Sequence, residues 1–184
     1  MTILFDGNPA PILYSSNTQI NAVVPFTLGP VGTLVSIQDR SETIRSFKLP
    51  IAAAVPRLFT ITGAQQALAL NEDASINSSA NPAAPGSVIS IFVSGAGRFD
   101  QPLVDGQLGP LTGPFPVPAV GPVQGGIGNC CWMDSLFAAQ VPGQVAGLVR
   151  VDLRVPDGTP AGSARISLKF GDYYTHGQTF VEIR

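Results

Sequence analysis

The chain has 184 residues, 12% of them charged and 45% hydrophobic, and a net charge of -2. Average soluble domains carry roughly 25% charged residues, so a disordered tail and a charge-rich nucleic-acid binder are both excluded, while the length suffices for one or two domains whose core needs neither metal nor disulfide. Glycine (20) and proline (17) are spread along the whole chain and exclude long helices.

Between this punctuation lie short runs rich in branched and aromatic residues, the pattern of strands bounded by turns. Strands are expected at Thr2 to Phe5, Ile12 to Ser15, Gln19 to Val24, Gly32 to Gln38, Thr43 to Leu49, Leu58 to Thr62, Ser87 to Ser94, Val145 to Val155, Ala164 to Phe170 and Gln178 to Ile183. Alternation is clearest in Leu148 to Val155, where Arg150, Asp152 and Arg154 oppose Val149, Val151, Leu153 and Val155; one face is buried and one wet. Two short helical turns are expected, one at Ala64 to Leu70 and one where Trp132, Leu136 and Ala139 recur at helical spacing behind a cap at Asn129. From Gly106 to Gly128, prolines at 110, 114, 116, 118 and 122 predict an extended loop or edge and no central strand.

An internal repeat of about 130 residues organises these runs. Gln19-Ile-Asn-Ala-Val-Val-Pro25 aligns with Arg150-Val-Asp-Leu-Arg-Val-Pro156, Thr33-Leu-Val-Ser-Ile37 with Ala164-Arg-Ile-Ser-Leu168, and Phe47 with Phe180. The first copy then lacks everything matching residues 57 to 120. Residues 1–55 read as the C-terminal half of one repeat and 56–184 as a second, complete one, with a hairpin-like linker over Ala54 to Asn81.

The stretches Asn71 to Gly97, Asn8 to Pro25 and Val145 to Gly162 together resemble a family of uncharacterised repeats found in large secreted proteins of soil acidobacteria. The resemblance covers nearly the whole chain. It implies an all-β tandem of immunoglobulin-like β-sandwiches, the first represented by its C-terminal half, in an extracellular or cell-surface setting, with no established activity and no catalytic residues to carry over. The sequence departs from the family at Gly128 to Ala138, where Asn129-Cys-Cys-Trp-Met-Asp-Ser-Leu-Phe137 replaces a plain strand-like segment similar to Asn8 to Ser15.

Four constellations bear on chemistry. Cys130 and Cys131, the two cysteines, are adjacent; their Cα atoms lie about 3.8 Å apart, short of a relaxed disulfide, so they read as a strained vicinal bond, a thiol nucleophile, or two small apolar side chains buried beside Trp132. His176, the sole histidine, could serve as base to Cys130, Cys131 or a serine with Asp134 or Asp172 as orienter, giving an acyl-ester or lactone hydrolase, although no Gly-x-Ser-x-Gly elbow is present. Asn71, Asp73, Ser75 and Asn77 alternate as in the first half of a calcium loop, but the glycine and distal glutamate of such a loop are missing and an Asx-rich turn explains the same residues. Trp132, Tyr173 and Tyr174 are candidates for an aromatic binding strip, with Tyr173 and Tyr174 facing opposite ways.

The reading is a non-enzymatic structural or adhesive module, without cofactor, meeting a protein or glycan at the cell surface. No Lys/Arg cluster suits nucleic acid, and no apolar run approaches the ~18 residues of a membrane span. Residues 1–55, an open half-sandwich exposing Ile12, Ile20, Val23 and Leu34, are expected either to pack on the second domain and Leu58 to Leu70 or to self-associate by β-augmentation.

Overall fold

Branched residues between turn formers become strands here, and the alternation of each strand decides which face is buried. The structure, a computed structural model, describes every residue except Thr62, Gly63 and Asn129. The cap expected at Asn129 and the strand end at Thr62 lie outside the described residues. Those residues contain no helix and form antiparallel sheets from β1 (Thr2–Phe5), β2 (Asn8–Pro9), β3 (Ile12–Ser15), β4 (Ile20–Ala22), β5 (Thr33–Asp39), β6 (Glu42–Leu49), β7 (Arg57–Leu58), β8 (Ala69–Leu70), β9 (Val88–Ser94), β10 (Val123–Ile127), β11 (Met133–Asp134), β12 (Phe137–Gln140), β13 (Val149–Arg154), β14 (Gly162–Phe170), β15 (Tyr173–Tyr174) and β16 (Thr179–Ile183). Among the described residues no helix is long and apolar enough to cross a membrane.

In residues 1–55 one sheet has the order β2-β1-β5-β6 and a second holds only β3-β4. Tight turns set the registers: Asp6 and Gly7 adopt φ of 47° and 84° between β1 and β2, and Arg40 and Ser41 adopt 47° and 72° between β5 and β6, the left-handed pairs that match hairpin twist. The core of this part is small, comprising Ile3, Phe5, Ala10, Leu28 and Val35. Every residue of β6 is exposed.

Residues 56–184 are better filled. One sheet has the order β12-β13-β9-β7, with β8 also on β9, and the other has β11-β10-β14, with β15 and β16 both on β14. Ile89, Ile91 and Val93 stand opposite Leu153, Val151 and Val149 in register, and all six are fully buried. They meet Val123, Ile127, Ile166, Leu168, Phe170, Val181 and Ile183 of the other sheet in one core. Between the sheets, Gly125 gives the closest approach: a Cβ there would lie 2.1 Å from Leu153 Cδ1.

The outer edge of β16 is covered by a segment far away in sequence. The Ala67 N–H donates to the Phe180 carbonyl (2.8 Å), Phe180 N–H to Gln65 O (2.9 Å), Ala83 N–H to Glu182 O (2.8 Å) and Arg184 N–H to Ala83 O (2.9 Å). Gln66 and Ala83 thus lie parallel to β16, and Ala54 to Asn81 is part of the folded unit as well as a connection. Residues 1–55 lean on the loop after β9. Phe26 N–H donates to Asp105 Oδ1 (2.9 Å), Arg98 donates to Leu28 O (3.0 Å), and the Phe26 and Phe99 rings meet edge to face at 6.1 Å.

Four expectations are corrected. Ala64 to Leu70 is not helical: Ala67 and Ala69 are fully buried while Leu68 and Leu70 are half-buried, a period of two imposed by pairing with β16, with Phe59 and Thr60, and with β9, which overrides helix propensity. Trp132 and Leu136 are 43% and 56% exposed while Ala139 is buried, so no helical stripe faces the core and the segment divides into β11 and β12. The loop expected to run to Gly128 ends at Pro122, after which β10 pairs with both β14 and β11; the prolines precede it, and Gly125 and Gly126 hide its strand character. Finally, Phe47 stands opposite the buried Val35, whereas Phe180 stands opposite the exposed Arg165, so the two aligned phenylalanines point to opposite faces, a slip of one residue.

Candidate interaction surface

The outer face of the β10–β14 sheet is built from the residues that alternate with its core. Pairing places Asp134, Gln124, Lys169 and Tyr174 in one row across β11, β10, β14 and β15. Gln124 donates to Asp134 Oδ1 (2.9 Å). Trp132 crosses toward this row, and its indole meets the Tyr174 ring edge-on at 5.6 Å; Lys169 Nζ lies 5.6 Å from the same ring. Trp132 and Tyr174 are 43% and 44% exposed. Tyr173 shares the inward face of its partner Phe170 and is half-buried. Of the three candidate aromatics the structure therefore joins Trp132 to Tyr174 and separates Tyr173 from them.

Cys130 and Cys131 are both exposed with free thiols, their Sγ atoms 3.3 Å apart, in place of the buried apolar pair considered from sequence. The lead from Ile127 carries them out of the sheet, Cys130 N–H donating to Ile127 O (3.4 Å), so no strand faces them into the core. The neighbouring Cys131 thiol pushes the Cys130 thiol above its ordinary value, the opposite of an activated nucleophile. Among the described residues no hydrogen bond joins the His176 side chain to Cys130, Cys131 or Asp134. His176 is exposed, and its carbonyl accepts from Arg57 (3.2 Å). We predict that both thiols alkylate without added reductant, detected as two adducts by intact mass, and that Cys131→Ala speeds alkylation of Cys130 near neutral pH, because a raised pKa leaves less thiolate at a given pH. A native mass two hydrogens lighter, restored by mild reductant, would instead show a vicinal disulfide.

The Asx cluster is folded inward on itself. Asp73 accepts from the backbone N–H of Ser75 (3.0 Å) and from its hydroxyl, bonds that hold the carboxyl below its ordinary pKa. Asn77 is fully buried. Its amide donates to Asn71 Oδ1 (3.0 Å) and Glu182 O (2.9 Å), and its oxygen accepts from Glu182 N–H (2.8 Å) and Gln66 Nε2 (3.0 Å). Asn81 donates to Ser75 Oγ (2.6 Å). One oxygen of each of Asn71, Asp73, Ser75 and Asn77 already accepts a hydrogen bond from the protein, so adding calcium or a chelator is expected to leave the melting temperature unchanged; a calcium-dependent rise of several degrees would show a site that binds only the folded state.

Sequence reasoning missed the outer face of the other sheet. Phe59, Leu68, Phe92, Val141, Gln144 and Leu148 line a shallow, almost wholly apolar groove of about 400 Å³. Beside it Arg150 makes a two-pronged ion pair with Asp152 (2.9 and 2.6 Å) and stacks over Phe137 at 5.0 Å. Phe92 alternates with buried Ile91 and Val93, and that alternation is the signal that could have placed it outside.

No family model, curated protein or solved structure matches the chain. An exposed aromatic pair with a neighbouring ammonium suits stacking against a flat apolar or sugar face and hydrogen bonding beside it.

Proposed function

We propose that the chain is a non-enzymatic structural or adhesive module of a secreted or cell-surface protein, built as tandem immunoglobulin-like sandwiches of which residues 1–55 are the C-terminal half of the first. The observation that carries this reading is the strand order. Around one core, β12-β13-β9-β7 faces β11-β10-β14-β16, the arrangement of D-E-B-A against an extended C-F-G sheet. The order β2-β1-β5-β6 follows the same path as β11-β10-β14-β16, and β3-β4 the same path as β12-β13, which supports a repeat whose first copy has no counterparts of β7, β8 and β9 among the described residues. The Phe26–Phe99 and Asp105 contacts supply a fixed joint between units, as a rod requires. The resemblance to secreted acidobacterial repeats is of a piece with this reading.

The partner is a glycan or protein met by Trp132 and Tyr174. Retention of the purified protein on a panel of immobilised polysaccharides and surface proteins tests it: Trp132→Ala and Tyr174→Ala should each weaken retention about tenfold, as aromatic anchors do, with unchanged melting temperature. Retention on no member of the panel, or retention indifferent to both substitutions, overturns the aromatic site. Chromogenic esters and lactones form the contrasting arm; turnover abolished by His176→Ala would replace the module with a hydrolase.

A further inference from the structure

The hairpin that joins β10 to β11 carries Cys130, Cys131 and Trp132 in succession, and both of its roots are tied. At one root Gly128 N–H donates to Arg165 O (2.7 Å); at the other Ser135 N–H donates to Val123 O (3.0 Å) and Met133 stands opposite Gly125 in register. The two thiols are free and exposed, with their Sγ atoms 3.3 Å apart. The shared peptide holds their Cα atoms about 3.8 Å apart, below the roughly 4.4–6.8 Å of a relaxed disulfide, so a bond between them closes only if the backbone of the pair turns. With both roots tied, the turn is taken up in the segment that carries Cys130, Cys131 and Trp132. There is room for it: the carbonyls of both cysteines come near Gly126 of β10, where even an added Cβ would lie 3.6 and 3.8 Å from their oxygens. Trp132 is next in the chain. Its ring meets Tyr174 edge-on at 5.6 Å, and such pairs attract out to about 7 Å between centroids, so a shift of roughly 2 Å parts them.

We propose that Cys130 and Cys131 are a reversible modification site: a small-molecule disulfide converts the pair to a vicinal disulfide, and closing that bond draws Trp132 away from Tyr174 and switches off the aromatic surface. The inference rests on reading Trp132 and Tyr174 as the binding pair. Among the described residues no group of three His, Cys, Asp or Glu side chains is gathered to hold a metal ion, so the pair offers two sulfurs that suit one another. With oxidised glutathione as the reagent, one cysteine thiolate attacks a reagent sulfur, expels a glutathione thiolate and leaves a mixed disulfide. The second cysteine then attacks the protein-side sulfur, expels the other glutathione and closes the Cys130–Cys131 bond. The pair gives up two electrons and two protons, and the reagent becomes two glutathione thiols. Strained, exposed disulfides are the readily reduced ones, so an excess of dithiol reopens the bond and returns Trp132 to Tyr174.

The full chain is treated with excess oxidised glutathione and then with dithiothreitol, and intact mass and proton NMR spectra are recorded at each stage. Oxidation should remove two hydrogens and leave no glutathione attached. The cross-relaxation peak between the indole of Trp132, the sole tryptophan, and the Tyr174 ring should fall at least fivefold, and dithiothreitol should restore it. The double variant Cys130→Ser, Cys131→Ser should keep that peak throughout. Glutathione retained on one or both cysteines with no bond between them overturns the site. A closed disulfide with the Trp132–Tyr174 peak unchanged overturns the switch, as does loss of the peak in the double variant. Retention on the panel of polysaccharides and surface proteins, measured on reduced and oxidised protein, separates this from the adhesive reading. Oxidation should weaken retention about tenfold, as loss of an aromatic anchor does, and equal retention of both forms overturns the switch. A reduced protein retained on no member, with the peak still lost and restored, overturns the aromatic binding surface and leaves the modification site standing.

Discussion

Asn77→Ala should lower the stability of the protein by about 3–5 kcal/mol, because a buried polar group stripped of its partner costs roughly 1–3 kcal/mol and this one side chain serves several. Asn77 is fully buried and meets both the N–H and the carbonyl of Glu182, as well as Asn71 and Gln66. Its amide acts as a stretch of backbone, continuing the ladder on the outer edge of β16 between Ala67 and Ala83. At about 2–4 °C per kcal/mol for a protein of this size, the melting temperature should fall by roughly 6–20 °C. Asn77→Asp separates geometry from charge. It keeps the oxygen facing Glu182 N–H but turns a second oxygen toward Glu182 O and Asn71 Oδ1, which favours the neutral acid and raises the folded-state pKa. Its penalty should therefore be fully present above that raised pKa and shrink as the pH falls toward the ordinary carboxylate range. Thermal melts across pH check both variants, and a loss below about 1 kcal/mol for Asn77→Ala would refute the bridging role.

Gly125→Ala should destabilise by about 1–3 kcal/mol, the usual effect of overfilling a packed core. The added Cβ would lie 2.1 and 2.8 Å from the two Leu153 methyls and 3.0 Å from Leu153 Cγ, and Leu153 is fully buried. Leu153→Ala alone should cost about 2–5 kcal/mol through the cavity it leaves. The double variant should cost less than the sum of the two, since the new methyl occupies part of the vacated space. Denaturant melts of all four proteins measure this, and simple additivity would show that Leu153 and Gly125 do not face one another in solution.

Much of the strand framework was legible because period-two burial leaves a mark in sequence: Thr2 to Phe5 and Ile12 to Ser15 coincide with β1 and β3, and the alternation of Leu148 to Val155 gives the inward face of β13, although Asp152, expected on the wet face, is buried in its ion pair with Arg150. What escaped notice lacks that mark. β10 carries Gly125 and Gly126: at Gly125 only the absence of a side chain lets Leu153 come close, whereas a Cβ at Gly126 would make ordinary contacts. Asn77 reads as a turn residue because its partner Glu182 is 105 positions away, and no local pattern encodes such a bond. The aromatic pair was half visible: the types and facing of Tyr173 and Tyr174 follow from alternation, but the meeting of Trp132 with Tyr174 depends on β11 and β15 occupying opposite flanks of one sheet. Cys130 and Cys131 were misjudged by residue type, since cysteines are buried on average while these two are exposed.

The clasp along β16 also fixes an order of events during synthesis. Residues 65 to 83 leave the ribosome about 100 positions before the strand they must hold, so at roughly 5–20 residues per second they wait some seconds with their pairing groups satisfied only by water. β9 waits in the same way for β13. A domain whose first strands bind its last cannot lock in stages as it emerges. Its folding should be late, slow for its size and all-or-none, complete only once Thr179 to Ile183 arrives.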